Sequence, residues 1–217
     1  MHLIFEQIAT GGDRNFAYLI GDNRSKEAVI IDPSYQPEKI VQRAVDQGLS
    51  VSYILNTHGH GDHTNGNSVA KELTLAPIAV YKDSFVPSDI KLENEQILSV
   101  GSLKLKILYT PGHCEDHIVI FVQDYDIAIT GDHLFIGKIG GTESDEHAHL
   151  QYNSLQRLFD ELPLHTTVWP GHDVGCRPSS TLALEKVSNP FLMVGGFQEF
   201  IDLKTNWASF KRDHGLI

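Results

Sequence analysis

Four apolar segments of strand length end in histidine or aspartate, and this arrangement restricts the fold more than any other feature. A strand that runs directly into a polar turn delivers its last side chains to one edge of a sheet. Glycines beside these residues, such as Gly59 and Gly61, let the backbone turn sharply there. We therefore expect one rim at which imidazoles and carboxylates meet. The segments read ILNTHGHGDH, ILYTPGHCEDH, IAITGDHLF and VWPGHD.

The residues that these segments present are typical metal ligands. Imidazole and carboxylate groups bind zinc, iron and manganese. Burying so many of them without a cation would cost desolvation energy. Five histidines and two aspartates suit two ions, roughly 3.5–4 Å apart, that share one carboxylate. We predict a site for two divalent metal ions, zinc first and iron or manganese as alternatives. The predicted ligands are His58, His60, Asp62, His63, His113, Asp132 and His172.

The remaining pattern predicts two groups of strands with helices between and after them. Strands are expected at 2–9, 16–22, 27–32, 51–57, 96–110 (two strands around Gly101), 117–123, 126–132 and 166–173. Helices are expected at 37–48, 64–73 and after 149. This layout favours an α/β (α+β) fold in which two sheets lie between outer helices. We expect one domain over 1–217, ending in an amphipathic helical tail from about residue 180 that carries Phe200, Leu203, Trp207 and Phe210.

Composition limits the compartment and the partners. A chain of 217 residues can bury roughly 70% of its unfolded surface without disulfides, and two distant cysteines favour a reducing, cytoplasmic location. Neither a leader nor a run of about 18 apolar residues is evident, so no membrane partner is expected. With 17 Lys plus Arg against 28 Asp plus Glu, the net charge of −11 argues against nucleic acid. A small-molecule thioester or thiol is the expected substrate, and a homodimer stays open.

The order of these motifs resembles the metallo-β-lactamase superfamily. The matching residues are Thr-His-x-His-x-Asp-His from Thr57, a Gly-His at His113, the bridging Asp132 and a final Gly-His at His172. The resemblance covers essentially the whole chain and implies an αββα sandwich with the metals at one sheet rim. It also implies a division of the ligands: His58, His60 and His113 on one ion, Asp62, His63 and His172 on the other, with Asp132 shared.

Three of the motifs, YTPGH, GDHLF and WPGHD, are most similar to the glyoxalase II (hydroxyacylglutathione hydrolase) group and its persulfide dioxygenase relatives. The resemblance implies hydrolysis of an ester-like carbonyl, first of all a thioester, by a hydroxide that bridges two metals. Asp62 and Asp132 are the expected catalytic carboxylates, which hold that hydroxide in line with the carbonyl that it attacks. Thr57, Thr110, Glu115 or backbone carbonyls are candidates to orient the ligand histidines.

Other functions stay open at this point. The same motif serves mononuclear iron persulfide dioxygenases, in which His58, His113 and Asp132 would hold the iron, an arrangement that suits non-haem iron. A lactonase or β-lactamase role has no specific support. A structural or purely binding role is disfavoured, because structural zinc prefers closed, Cys-rich sites and neither Cys114 nor Cys176 stands at a ligand position.

Three residues beside the ligand positions have two interpretations each. His117 and His133 could line the substrate pocket or be satisfied core histidines. Cys114 could be a reactive thiol or a small buried hydrophobe, and the second interpretation is favoured.

Overall fold

The first of two six-stranded sheets contains the N-terminal strands in chain order. In the computed structural model, which describes residues 2–215, β1–β3 are antiparallel and β3–β6 are parallel. Parallel neighbours require crossover connections, and helices follow β3 and β4. The strands are β1 (Leu3–Gly11), β2 (Asn15–Asp22), β3 (Glu27–Ile31), β4 (Ser50–Leu55), β5 (Ile78–Tyr81) and β6 (Ile90–Leu92).

The second sheet also keeps chain order and is antiparallel except for the β10–β11 pair. Its strands are β7 (Ile97–Val100), β8 (Leu103–Tyr109), β9 (Ile118–Val122), β10 (Ile127–Gly131), β11 (Thr167–Pro170) and β12 (Ser180–Thr181). The helices are α1 (Pro37–Asp46), α2 (Gly61–Thr64), α3 (Asn67–Thr74), α4 (Asp145–Glu161), α5 (Leu182–Ser188), α6 (Phe197–Thr205) and α7 (Trp207–Asp213), with 3₁₀ turns at Gln123–Tyr125 and Pro190–Leu192. Within residues 2–215 none of these helices is both long and apolar enough to cross a bilayer.

Alternating side chains of the strands build an αββα sandwich. Tyr18 and Ile20 of β2 point inward and belong to one core with Ile107 and Ile120 of the second sheet. The intervening Leu19 points outward and packs with the apolar face of α1. Strands buried on both faces read as continuous apolar runs, which is why these segments lack polar alternation. On the other outer face, residues of α4, α5 and α6 pack on the second sheet.

The predicted fold class is therefore confirmed, while several element boundaries differ. The helix expected at 64–73 begins later, as α3 at Asn67, and Thr64 ends the short helix α2 instead. Between them the chain passes close to the β3–α1 connection at Gly66, where a Cβ would lie 1.5 Å from the Pro33 oxygen. Helix α4 begins at Asp145, before the expected residue 149, with the Ser144 hydroxyl accepting from the His147 amide. The tail is broken at Asn206 into α6 and α7. Strands β5 and β6 were not expected, since runs of four and three residues give little periodic signal.

Asp22 links the two sheets at the end of β2 that is remote from His172. Its carboxylate accepts hydrogen bonds from the Ser102 amide (2.8 Å), the Ser102 hydroxyl (2.7 Å) and the Arg24 amide (2.9 Å). Ser102 lies in the β7–β8 turn of the opposite sheet. The hydrogen bonds from Ser102 lower the pKa of Asp22 far below its ordinary value, so the ionised form stabilises the sandwich.

Replacing this carboxylate tests the link. Asp22→Asn leaves one acceptor oxygen for three hydrogen bonds and removes the charge, and we expect the free energy of unfolding at pH 7 to fall by about 1–3 kcal/mol. Because the folded pKa lies below the unfolded one, the contribution is present above about pH 4 and is lost as the pH falls through the folded pKa. Urea unfolding at pH 7 and pH 3 checks this: the gap between wild type and variant should shrink in acid. Asp124→Asn, at an exposed site, is the control, and an unchanged gap would contradict the interpretation.

Candidate metal centre

The structure brings all seven predicted residues to one rim of the sandwich. His58 follows β4, and the next three donors lie in the turn and in α2. His113 comes from the β8–β9 connection, Asp132 follows β10 directly, and His172 follows β11. Three overlapping groups of three potential ligands form there, each with donor atoms within 4.8 Å of one another. The first cluster is His58, His60 and His113, the second is Asp62, His63 and His172, and the third group, His58, His63 and Asp132, connects them.

The first cluster consists of three ring nitrogens in contact. His60 Nδ1 lies 3.0 Å from His58 Nε2 and 3.0 Å from His113 Nε2. Nitrogen ligands 2.0–2.1 Å from a tetrahedral zinc ion lie roughly 3.3 Å apart. The three nitrogens are therefore spaced as ligands of one cation would be.

The second cluster has a carboxylate in place of one imidazole. His63 Nε2 lies 3.2 Å from His172 Nε2, and Asp62 Oδ2 lies 3.6 Å and 3.4 Å from these two nitrogens. Asn15 Nδ2 donates to Asp62 Oδ2 (3.0 Å) and to the Asp62 carbonyl (3.1 Å), which fixes the carboxylate in this position.

Asp132 stands between the two clusters. Its Oδ2 lies 3.6 Å from His113 Nε2 and 3.2 Å from His172 Nε2, so one oxygen reaches both clusters. Its Oδ1 lies 3.4 Å from His63 Nε2 and is buried with no hydrogen-bond partner among the described residues. A buried carboxylate oxygen without a donor fits a site that holds a cation. The donor set thus forms metal-binding His/Asp sites, while the division of the seven residues between two ions and the catalytic roles of Asp62 and Asp132 stay predictions.

Hydrogen bonds on the outer ring nitrogens fix the tautomers of four histidines. Three of the Nδ1 atoms lie next to a carbonyl or carboxylate oxygen, which can only accept a hydrogen bond. The fourth lies next to the Thr57 hydroxyl, which already donates its proton to Asp32. Nδ1 therefore carries the hydrogen in each ring, and Nε2 faces the centre. His60 is the exception, since its Nδ1 faces the centre. The Nδ1 partners are Thr57 Oγ1 for His58 (3.0 Å), Asp32 Oδ2 for His63 (3.0 Å), the Gly141 carbonyl for His113 (2.8 Å) and the Asp13 carbonyl for His172 (2.8 Å).

Asp32 is the functional residue that the sequence reasoning missed. Its buried carboxylate accepts from the Thr57 amide (2.8 Å), the Thr57 hydroxyl (2.7 Å) and His63 Nδ1 (3.0 Å), so it orients ligands of both clusters. A signal was available, because an aspartate directly after the apolar strand β3 matches the pattern of the other four segments. Of the expected orienting residues, Thr57 and two backbone carbonyls are confirmed. Thr110 contacts His117 instead, and Glu115 lies 3.9 Å from His147, not beside a ligand.

Charges around the centre differ between the clusters. Burial lowers the pKa of His58 well below its ordinary value, and the neighbouring histidines lower it further. Burial also opposes the charged form of His63, but the carboxylates of Asp32, Asp132 and Asp62 outweigh it and raise its pKa to about 9. The second cluster is therefore rich in negative charge and favours a cation.

The three neighbouring residues have defined environments. His117 is buried; it accepts from the Asp132 amide through Nε2 (3.1 Å) and binds Thr110 Oγ1 through Nδ1 (2.9 Å), so it is a satisfied core histidine that positions Asp132. His133 is fully buried with neither ring nitrogen bonded within the described part of the chain, and burial lowers its pKa to about 3. The Cys114 thiol donates to Asp116 Oδ1 (3.1 Å), and burial raises its pKa well above the usual range, which disfavours a reactive thiolate.

Comparison with known proteins decides the family. The model of the metallo-beta-lactamase superfamily matches residues 10–88 and 74–172, a span that contains all seven ligand candidates. The chain belongs to the metallo-beta-lactamase superfamily.

Relatives of two kinds within this superfamily resemble the chain. A hydroxyacylglutathione hydrolase of Dictyostelium discoideum is 32% identical over 73% of this chain, and the match covers 62% of that relative, less than two thirds of its length. The human mitochondrial persulfide dioxygenase ETHE1 is 30% identical over 88% of this chain and 76% of that protein. The crystal structure of ETHE1 from Myxococcus xanthus superposes with a TM-score of 0.87 at 31% identity, covering 94% of this chain and 91% of that one.

Removing the charge of Asp32 tests its orienting role at this centre. Asp32→Asn replaces an acceptor oxygen by a donor, so His63 and Thr57 lose their shared partner. We expect metal affinity to fall about 10–100-fold, measured by chelator competition and elemental analysis. Asp22→Asn changes an equally buried aspartate at the remote end and should leave metal affinity intact. Unchanged affinity in Asp32→Asn would refute the role.

A pair of glycine substitutions tests how closely the backbone must approach the centre. A Cβ on Gly171 would lie 2.4 Å from Asp132 Oδ1 and 2.8 Å from His63 Cε1, whereas a Cβ on Gly61 would have open space. We expect Gly171→Ala to weaken metal binding by about tenfold or more, since ligand positions must shift. Gly61→Ala, within the same motif, should bind metal as the wild type does. Equal binding by both variants, measured by the same competition, would show that the approach at Gly171 is not required.

Proposed function

We propose that this protein is a metal-dependent hydrolase of thioesters. The observation that carries the proposal is the position of Asp132, whose Oδ2 reaches one histidine of each ligand cluster. A carboxylate placed in this way suits a centre of two ions. A small-molecule thioester as substrate and a cytoplasmic location are part of the proposal. The proposal includes no nucleic acid partner, which agrees with the net charge of −11.

His58, His60 and His113 would hold one ion, and Asp62, His63 and His172 would hold the other. Bound divalent ions supply a water of pKa near 7 and polarise the substrate carbonyl. Zinc is the first expectation for this donor set, with iron or manganese as alternatives.

The chain's own residues orient the reacting groups. Asn15 holds the Asp62 carboxylate and His117 holds the Asp132 backbone, so neither carboxylate has to reorganise during the reaction. Both carboxylates face the space in which the water and the carbonyl would meet, and they direct the attack. The thiolate that leaves has a low pKa and needs no separate acid.

A cavity of about 540 Å³ beside the first cluster can take the acyl group. Gly59 and Cys114, neighbours of ligand residues, line it, and Phe85, Val86 and Pro87 supply an apolar wall. This volume is ordinary for a small-molecule site.

A persulfide dioxygenase is the second candidate, and the resemblance to the ETHE1 proteins supports it. In that case one iron would be held by His58, His113 and Asp132, two histidines and a carboxylate that leave positions open. The hydrolase and the dioxygenase would use ligands from the same rim. The positions of these residues therefore do not distinguish the two functions, and the bound metal and the reaction must be measured.

Metal content and two assays on purified protein separate these functions. The hydrolase predicts about two metal equivalents per chain and cleavage of thioesters without oxygen uptake. About one iron per chain, with oxygen consumed on addition of a persulfide, would contradict the proposal and favour the dioxygenase.

His58→Ala tests the role of the centre in either reaction. Loss of one donor from the first cluster should lower metal content and reduce turnover by roughly a thousandfold or more, while circular dichroism remains that of the wild type. His165→Ala removes an exposed histidine far along the chain and should preserve both properties. Wild-type turnover in His58→Ala would refute the assignment.

A further inference from the structure

Helix α4 carries two polar side chains on the face that packs against the second sheet. Gln151 is fully buried and Ser154 nearly so, beside apolar residues of the same helix such as Leu155 and Leu158. A buried amide or hydroxyl group is unfavourable unless it is hydrogen-bonded. Both side chains find their partners in the two loops that contact His113.

The loop that carries His113 is anchored on α4. The Ser154 hydroxyl donates to the Pro111 carbonyl (2.9 Å). The next residue, Gly112, lies so close to the helix that a Cβ there would overlap the Cα of Gln151. The backbone directly before His113 is therefore held against the helix by one hydrogen bond and one close packing contact.

The loop that orients the His113 ring is anchored on the same helix. Gln151 Nε2 donates to the Gly140 carbonyl (3.1 Å), and the carbonyl of the next residue, Gly141, accepts from His113 Nδ1 (2.8 Å). Gly140 also packs against Asp132, because a Cβ there would overlap the Asp132 carbonyl oxygen. The Gln151 side chain therefore fixes the peptide unit that precedes the acceptor of His113.

Lys204 of α6 connects the C-terminal helix to this contact. Its ammonium donates to Gln151 Oε1 (2.9 Å) and to the Gly140 carbonyl (3.3 Å). Because a lysine ammonium can only donate, the Gln151 oxygen must face Lys204 and the Gln151 amide group must face Gly140. Lys204 thus determines the orientation in which Gln151 can hold the loop.

The environment of Lys204 indicates what this side chain contributes. Burial lowers its pKa to about 8, and no charge among the described residues offsets that effect. Its neighbours are the two neutral oxygens and the Phe200 ring, whose centre lies 5.6 Å from the ammonium. An apolar side chain would fill the same space without the cost of desolvating a charge. What distinguishes Lys204 from such a residue is the pair of hydrogen bonds to Gln151 and Gly140.

The second cluster is supported from another part of the chain. Asp32 follows β3, Asn15 begins β2, and the Asp13 carbonyl belongs to the β1–β2 turn. These three supports come from the N-terminal sheet and its loops. A change in α4 or α6 should therefore reach the first cluster through His113 and leave the second cluster as it is.

We propose that Gln151 and Lys204 are positioning residues for His113, and that through them the C-terminal helix α6 sets the metal affinity of the first cluster. Neither side chain is itself a ligand. His113 would bind metal in the hydrolase and in the dioxygenase, so its position matters for either reaction.

Zinc binding by the full chain tests these positioning residues without turnover. Gln151→Met and Lys204→Met keep the length of each side chain and remove its hydrogen bonds. Gln198→Met and Lys186→Met make the same changes at exposed positions of α6 and α5 and are the controls. Zinc is titrated into each metal-free protein in competition with a chelator. We expect the affinity for one zinc ion to fall about 10–100-fold in the first two variants, with the other ion and both controls as in the wild type.

The outcome is decisive for one ion or for two. A chain that binds a single zinc should lose affinity for that ion. Lys204→Arg, which keeps a donor at this position, should recover most of the affinity lost in Lys204→Met. Wild-type affinity in Gln151→Met and Lys204→Met, or equal weakening in the controls, would overturn the proposal. Melting temperatures of the metal-free proteins confirm that each variant is folded.

Two further measurements separate positioning from a general loss of packing. In a proton–nitrogen NMR correlation of the histidine rings, the Nδ1–H signal of His113 should shift or disappear in Gln151→Met and Lys204→Met. The signal of His172, held by the Asp13 carbonyl, should stay in place. In a His113→Ala background, Gln151→Met should cause no further loss of zinc affinity. A shift of both signals, or the same further loss in both backgrounds, would contradict action through His113.

Discussion

The structure depends on one electrostatic constraint, the crowding of ring nitrogens and carboxylate oxygens around Asp132. Lone pairs of five histidines face a space across which the donor atoms lie 3.0–3.6 Å apart. Such a group is unfavourable in a protein interior unless a cation balances it. The sandwich keeps the donors in place because each follows a strand or loop anchored in a rigid sheet, and because the remote Asp22–Ser102 link holds the sheets together at the other end.

Around this centre, hydrogen bonds convert flexible side chains into fixed ligands. Asp32 connects the clusters through Thr57 and His63, while the carbonyls of Asp13 and Gly141 determine which nitrogen of His172 and His113 is protonated. Each acceptor comes from a loop that the sheets position, so ligand geometry is a consequence of the fold and not of the motif alone. A glycine such as Gly171 completes the arrangement, because any larger residue would displace Asp132.

The ligand candidates and the sandwich could be predicted from the sequence because both leave local patterns: apolar strands that end in His or Asp, and a helix marked by Pro37 and Gly48. The orienting partners could not be assigned in this way. Whether Thr57 or Glu115 approaches a histidine depends on loop conformation, which no local pattern determines.

Electrostatics also bear on how many ions the rim holds. His63 is enclosed by the carboxylates of Asp32, Asp62 and Asp132 at 3.0–3.6 Å, and two of these are buried. If only the first cluster held an ion, protonation of His63 would balance these carboxylates, since they raise its pKa to about 9. A second ion would replace that proton. The three ligands of the first cluster are all imidazoles, and the Asp132 carboxylate lies 3.6 Å from one of them, His113. If two ions shared Asp132, each would gain a carboxylate, so that binding of one ion would support binding of the other.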